Sequence, residues 1–572
     1  MHAERMKRPN CGGAHGHQVG EVPGRRVPYD LRIQTTQDGF YSHAREFTPG
    51  ILVVQPAAEQ SFEHSARLTR MWCGKARSQC LFRGRDAIDT HAINSGYSEA
   101  KVRGPPASIA RILVRWERPD MMKWIRFCVS LVLGATLIVP TRAQQEALWV
   151  QPPKLVFTTH TLSNGLAVIL LEEHAVPMIN LQVCYHVGSK DEQPGRTGFA
   201  HLFEHLMFKG SAHVGPDEHS RIIEAVGGFD NAETGDDTTY FFETFPGHYL
   251  ERALWLEADR MGSLNVDEAN FESEREVVKE ELRVRVENEP YGYIEQDLRA
   301  AAFTVHGYRH TPMGSKEDLD RATLAEVRAF HDTYYKPNNA TLVIVGDFNS
   351  DQALVWTKKY FEGIPASTQA IPRLEATEPP QAQERVVNKS YTNTPLPAIV
   401  IGYKIPAMFA PDFYPLDLAA NMLAGGESSR LYQALVYQGQ IAAASAGFGN
   451  FSEDPDLFWT YAIMNPGHTA EEGEKAIFGV MDGLKTQPVE AKEIEKARNQ
   501  EISELILGRQ SDEAKAFALV NAAVIGKNPD LVNTELATYL KVTPEDIERV
   551  AKEYFVTERA TVLFITPPRP GR

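Results

Sequence analysis

Thr323-Leu-Ala-Glu-Val-Arg-Ala-Phe-His-Asp-Thr-Tyr334 aligns without a gap on Thr543-Pro-Glu-Asp-Ile-Glu-Arg-Val-Ala-Lys-Glu-Tyr554. At the same offset Ala340-Thr-Leu-Val-Ile-Val345 aligns on Ala560-Thr-Val-Leu-Phe-Ile565. Each pair reads as a helix followed by a buried strand, and a register shared across both elements marks a duplication. The chain is therefore expected to build two related halves, and 572 residues supply material for two sizeable cores. Pro365 to Gln383, rich in Pro, Ala, Thr and Glu and without period, reads as their connection.

The spacing predicts a first half at 144–365, a linker at 366–383 and a second half at 384–572. In the first half a Ser163-Asn164-Gly165 turn joins strands near Leu155–His160 and Leu166–Leu171, and a third strand runs from about Met178 to Val187. A helix over Pro216–Val226 precedes a hairpin of Phe229–Glu233 with Asp237–Thr244. Helices His248–Ser263 and Leu324–Tyr335 and the strand Ala340–Val345 complete the set. The second half again mixes strands, Ala398–Tyr403 and Leu457–Ile463, with helices, Phe413–Ala424, Ala470–Leu484, Ala491–Leu507 and Asp512–Gly526.

Only the first half carries an obvious chemical constellation. Thr197 to Gly210 reads as a short helix with the apolar stripe Phe199, Leu202, Phe203 and Leu206, and with Gly210 in the place of a C-cap glycine. Within it lies His201-x-x-Glu204-His205. Histidines four apart stand one above the other on one helix face, so both imidazoles can reach one metal ion. Glu204, on the flank of that face, stands where a general base acting on water is needed. A second helix, about Phe271 to Val286, carries Glu274 and Glu281 on one face with Val277 and Val278 between them, both valines expected to point inward. A carboxylate flanking a buried stripe needs a partner, and a metal is a good one. Each helix alone is compatible with an ordinary partly buried or solvated face; together they offer a third ligand for a tetrahedral site.

His201-x-x-Glu204-His205 followed by Glu281 resembles the inverted zinc-peptidase motif of the pitrilysin-type metallopeptidases, which include insulin-degrading enzyme and mitochondrial processing peptidase. The similarity extends to Gly227-Gly228-x-x-Asn231-Ala232-x-Thr234, to Glu274-Arg275-x-Val277 and to Ser428-Ser429-Arg430-Leu431-Tyr432, and covers about Lys154 to the C-terminus. It implies an α+β fold, two homologous α/β-sandwich halves of a metallopeptidase clamshell. It implies one Zn²⁺ per chain held by His201, His205 and Glu281, with Glu204 as the base and Glu274 supporting the catalytic centre. Asn231 and Ala232 would lie on a strand edge to which an extended peptide adds. The family's second half usually supplies an Arg and a Tyr, seven positions apart, to the substrate carbonyl. Here Val436 and Ala443 stand at those places, and Arg430 and Tyr437 are out of register. The resemblance therefore implies a heterodimer with a homologous, zinc-less subunit that keeps the Arg and Tyr. The alternative reading is a catalytically weak structural or peptide-binding subunit; zinc content and hydrolysis of a quenched peptide separate the two.

Composition narrows the setting. A net charge of −16 argues against general nucleic-acid binding. Residues 1–120 run the other way, with 18 Lys and Arg against 12 Asp and Glu, and show no sustained period. Cys11, Cys73 and Cys80 fit no metal spacing. Met121 to Arg126 is a short basic start, Phe127 to Val139 an apolar run too short to span a bilayer, and Thr141-Arg142-Ala143 a cleavage site before Gln144. Residues 121–143 thus read as a signal peptide, which places the chain in the periplasm or outside the cell without a stable membrane span. Residues 1–120 are then expected to be an unfolded or mistranslated extension. Cys184, in an apolar strand and the one cysteine after Gln144, reads as a buried filler.

Overall fold

Asn164 sets the first corner of the chain. Its side-chain amide donates to the carbonyls of Phe361 and Ile364 (2.8 and 3.0 Å), and Gly165 follows at φ +89°, the left-handed backbone that such a turn requires. The computed structural model describes residues 152–373 and 376–568, so the expected extension and signal peptide lie outside the described residues.

The first half contains β1 (Thr158–Thr161), β2 (Ala167–Glu172), β3 (Met178–Tyr185), α1 (Phe199–Leu206), α2 (Glu218–Glu224), β4 (Phe229–Thr234) and β5 (Thr239–Pro246). It continues with α3 (Leu250–Ser263), α4 (Glu268–Leu282), α5 (Ile294–Ala302), α6 (Lys316–Arg321), α7 (Leu324–Tyr334), β6 (Ala340–Gly346) and α8 (Ser350–Phe361). The second half contains β7 (Arg385–Lys389), β8 (Ala398–Ile405), α9 (Phe413–Ala424), β9 (Ala442–Gly449), β10 (Asp456–Met464) and α10 (Ala470–Thr486). It ends with α11 (Ala491–Leu507), α12 (Asp512–Val524), α13 (Leu531–Tyr539), α14 (Pro544–Tyr554) and β11 (Thr561–Ile565). This is an α+β fold, with strand order β1-β2-β6-β3-β5-β4 in one sheet and β7-β11-β8-β10-β9 in the other.

The two sheets share a plan. In each, one parallel pair (β2 with β6, β7 with β11) adjoins a run of antiparallel strands that ends in an edge strand, β4 or β9. The sequence repeat maps onto this plan: α7 and α14 both open with a capping box, Thr323 with Glu326 and Thr543 with Asp546. Each is followed by a short 3₁₀ turn and then by an interior strand of its sheet, β6 or β11.

The halves trade a helix. α5 of the first half lies on the second sheet, where Leu298 packs with Val400 and Leu563. α12 of the second half lies on the first sheet, where Leu519 and Val520 pack with Leu171, Val343 and Val345. Neither half has a complete core without the other. The residues between them are pinned as well: the Glu378 carboxylate accepts from the backbone N–H groups of Thr304, Val305 and His306 and from Lys404, and Gln381 donates to the Ala560 carbonyl at 2.8 Å.

Two local expectations are corrected. The helix carrying the histidines ends at Leu206, before a turn through Lys209, so Gly210 (φ +100°) closes that turn rather than capping the helix. On α4 the buried stripe is Phe271, Glu274, Val278 and Leu282, a spacing of three and four; Val277 falls about 100° away from Val278 and is 45% exposed. Cys184 is fully buried, and burial pushes its thiol well above the ordinary range.

Candidate metal centre

α1 is an amphipathic helix with its feet in the core. Phe199, Leu202, Phe203 and Leu206 are buried, and Phe203 stacks on Phe330 of α7 at 5.8 Å between ring centroids. Its start is held by Glu192, whose carboxylate accepts from the N–H groups of Gly198 and Ala200, both at 2.8 Å. This fixes the rotation of the helix, so the polar side of α1 faces α4.

There the side chains converge. His201 Nε2 and His205 Nε2 stand 3.3 Å apart, and Glu281 Oε2 of α4 lies 3.2 Å from His205 Nε2 and 3.6 Å from His201 Nε2. Glu274 Oε2 approaches His205 Nδ1 at 3.6 Å, and Lys209 Nζ approaches Glu274 Oε1 at 3.3 Å. Glu204, on the neighbouring flank, accepts a hydrogen bond of 2.6 Å from Thr234 Oγ1 at the end of β4. β4 pairs only with β5 among the described strands, and it carries exposed Asn231 and half-buried Ala232. The sequence-derived candidates are thus brought together at the junction of α1, α4 and the β4 edge.

The electrostatics describe a cluster in which one imidazole shares a proton with the carboxylates around it. Burial, then the charge of His205, hold His201 down to about 4. Against the effect of burial, the Glu274 and Glu281 carboxylates beside its two ring nitrogens push His205 up to about 9. The His205 hydrogen bond brings Glu281 down to about 2, and His205 with Lys209 hold Glu274 below the ordinary carboxylate range despite burial.

The donor set fits a zinc ion. Two nitrogens bound tetrahedrally at zinc distances of about 2.0–2.1 Å lie about 3.3 Å apart. The histidine nitrogens already have that separation, and the glutamate oxygen is within a few tenths of an ångström of it. His201 Nδ1 is buried without a hydrogen-bond partner, which leaves Nε2, facing this cluster, as the polar outlet of the ring.

A second buried cluster, His219, Glu243 and Glu257, also has three donor atoms within 4.8 Å of one another. Arg260 separates it from a metal site. Its guanidinium pairs with Glu257 through Nη2 and Nε, and it stacks over the Phe241 ring at 4.6 Å. His219 Nε2 meets Glu243 Oε2 at 3.0 Å, while burial raises Glu243 to about 8. A fixed cation inside the cluster opposes a second one, so this is an ion-pair network that ties α2, β5 and α3 behind β4.

Sequence reasoning missed three contacts at the centre: Thr234 on Glu204, Lys209 on Glu274, and Arg285 on Glu281 at 3.1 Å. The last had a signal, because an acid and an arginine four apart on a helix are neighbours.

Residues 167–316 match the family model described as insulinase, peptidase family M16, and residues 321–501 match that of the peptidase M16 inactive domain. The zinc protease PqqE of Helicobacter pylori is 33% identical over 447 residues, which cover 77% of this chain and 99% of that protein. A crystal structure of a protease from Helicobacter pylori superposes with a TM-score of 0.70 and 32% identity, over 72% of this chain and all 100% of that one. The first half of the periplasmic protease PqqL from Escherichia coli shares the fold at a TM-score of 0.59 and 18% identity, over 73% of this chain and 93% of that one. Fold, site and relatives define the class, that of zinc proteases built from duplicated α+β halves. The chain belongs to the insulinase family, peptidase family M16.

Proposed function

We propose that this chain is a zinc-dependent endopeptidase of the bacterial periplasm that cleaves extended oligopeptides, and that it is the metal-bearing half of a heterodimer. The observation that carries the reading is the convergence of His201, His205 and Glu281 within 3.6 Å of one another, beside a Glu204 carboxylate anchored to the end of an edge strand.

His201, His205 and Glu281 are the residues that hold the ion. Bound there, zinc supplies a Lewis acid that polarises the peptide carbonyl and makes a water molecule acidic near neutral pH. Glu204 takes the proton from the attacking water and passes it to the leaving amine. Thr234 holds one oxygen of Glu204 in place. Glu274 orients His205 through Nδ1, with Lys209 balancing its charge. A substrate strand laid along the open edge of β4, past Asn231 and Ala232, runs toward Glu204. Pairing through backbone groups accepts many side chains, so the substrates are oligopeptides of varied sequence.

The heterodimer follows from what the second half lacks. Val436 sits half-buried in the π-helical turn Tyr432–Tyr437, and Ala443 is exposed on β9. Neither has a side chain that can donate to an oxyanion. Arg430 is engaged, because its guanidinium forks onto Glu493 with both contacts at 2.7 Å. The Arg and Tyr that complete the site are assigned to a homologous partner without the histidine motif. Export through residues 121–143 suits the periplasmic setting, and among the described residues no helix is long and apolar enough to cross a membrane.

The test combines metal analysis with hydrolysis of a quenched peptide. Glu204→Gln keeps one zinc per chain and abolishes turnover, while Glu281→Gln loses zinc. The isolated chain cleaves slowly and gains kcat when the co-purifying homologue is added. Normal turnover by Glu204→Gln would sink the mechanism. Zinc-loaded wild type that stays inert with its partner present would favour the peptide-binding alternative.

A further inference from the structure

Glu281 gives its two oxygens to different partners. Oε2 faces the space shared by the two imidazoles, 3.2 Å from His205 Nε2 and 3.6 Å from His201 Nε2. Oε1 lies 3.1 Å from Nε of Arg285, one turn further along. The contact spans the junction at which α4 gives way to the π-helical turn Arg283–Glu287. Arg285 is 55% exposed and Glu281 only 18%, so a residue based in solvent reaches back to hold a mostly covered carboxylate. The neighbouring acid Glu280 is already paired with Arg283 at 2.8 Å.

We propose that Arg285 is a positioning residue of the metal centre: by occupying Oε1 it confines Glu281 to binding the ion through one oxygen. The inference rests on the zinc-peptidase reading above and names a further residue of the same site. A carboxylate with both oxygens available can bind a metal through both, which raises the coordination number and fills the position a substrate or water needs. The guanidinium beside Oε1 makes that shift costly, because the oxygen would have to leave its ion pair with Arg285. It also draws negative charge away from the ligand, so the ion is less fully neutralised and remains a stronger Lewis acid. An acid and an arginine four apart on a helix surface is usually a weak pair of purely local effect. What distinguishes this one is that its acid also faces two histidine nitrogens.

The two roles predict opposite results. If Arg285 only propped up Glu281, Arg285→Ala would weaken metal binding. As a positioning residue that competes for the carboxylate, its loss lets both oxygens close on the ion, and zinc affinity rises by about tenfold. With Co²⁺ in place of zinc in the full chain, the wild type gives the strong visible absorption of a four-coordinate ion. Arg285→Ala weakens it roughly twofold as coordination expands, and Arg285→Lys restores it. Because Arg285 is largely exposed, the substitution leaves folding intact, which circular dichroism checks. An unchanged Co²⁺ spectrum together with unchanged or weaker zinc binding in Arg285→Ala overturns the inference while leaving the metal site in place. A wild type that takes up neither ion overturns the zinc reading and this inference with it.

Discussion

Replacing Lys190 by Met tests whether the two halves are held as one body. The Lys190 ammonium is buried where the halves meet, 2.7 Å from Asp237 Oδ1, 2.8 Å from Glu453 Oε2 and 2.9 Å from Asp454 Oδ2. Around it, Ser189 and Lys190 donate backbone N–H groups to the carbonyls of Gly235 and Asp236, and a Cβ on Gly188 would lie 2.3 Å from the Asp236 backbone. This clamp fixes the turn of the β4–β5 hairpin, whose near end carries Thr234. Removing one partner of a buried ion pair costs about 3–5 kcal/mol. The lower end, about 3 kcal/mol, applies here, because His186, His306 and Lys527 still face Glu453 and Asp454 after the change. Urea unfolding at pH 7, followed by circular dichroism and tryptophan fluorescence, reads the loss. The pH dependence carries a sign. Against burial, His186 and Lys190 hold Glu453 well below the carboxylate range, and His306 and Lys190 bring Asp454 down to about 2. Depressed carboxylates contribute stability that is complete above their unfolded values of about 4 and lost as pH falls through the folded ones. The gap between wild type and Lys190→Met is therefore full at pH 7 and closes toward pH 2. A variant as stable as wild type at pH 7, or a gap that widens on acidification, would refute the reasoning.

Three further outcomes follow from the site. In the metal-free protein near pH 7, His205 at about 9 is protonated, while His201 at about 4 and Glu281 at about 2 are not. Zinc binding then releases about one proton and tightens by about tenfold per pH unit from roughly pH 6 to 9; calorimetry in two buffers of different ionisation enthalpy measures it, and a pH-independent affinity would contradict it. Thr234→Val removes the 2.6 Å hydrogen bond to Glu204 without touching a ligand, so zinc content holds while kcat falls by about 10- to 100-fold, as expected for a hydrogen bond to a charged group. Mass spectrometry of the exported protein finds Gln144, or a residue a few positions away, as the first residue; peptides from residues 1–120 in the mature protein would refute the signal-peptide reading.

How much the sequence discloses depends on how local the determinant is. His201 and His205 are legible because helical geometry alone stacks residues four apart, with Glu204 on the flank of their face. Helix spacing narrows the acids of α4 to Glu274 and Glu281 on one face, and only the family resemblance picks Glu281 between them as the ligand. The same weakness misplaces Val277: its apolar character argues for burial, but the stripe of α4 is set by Phe271, Val278 and Leu282, and 277 lies off it. α5, nine residues long, and β7, five residues long, are too short to stand out, and α8 is easily lost beside the linker.

The exchange of α5 and α12 is out of reach for a deeper reason. An amphipathic stripe states that a helix must be covered, and is silent about which sheet covers it. Leu298 would be as satisfied on its own sheet as beside Val400 and Leu563, and only tertiary geometry decides. That choice bears on the chemistry. Because α12 lies against β3 and β6 while Lys190, Asp237 and Glu453 lock the hairpin turn, the β4 edge and Thr234 are braced by residues from both halves. The second half carries no metal ligand among its described residues, yet it holds the strand along which the substrate is proposed to lie. Its retention beside the half that carries the histidine cluster therefore has a physical reason independent of any catalytic residue: without it Glu204, the proposed general base, loses the frame that holds it.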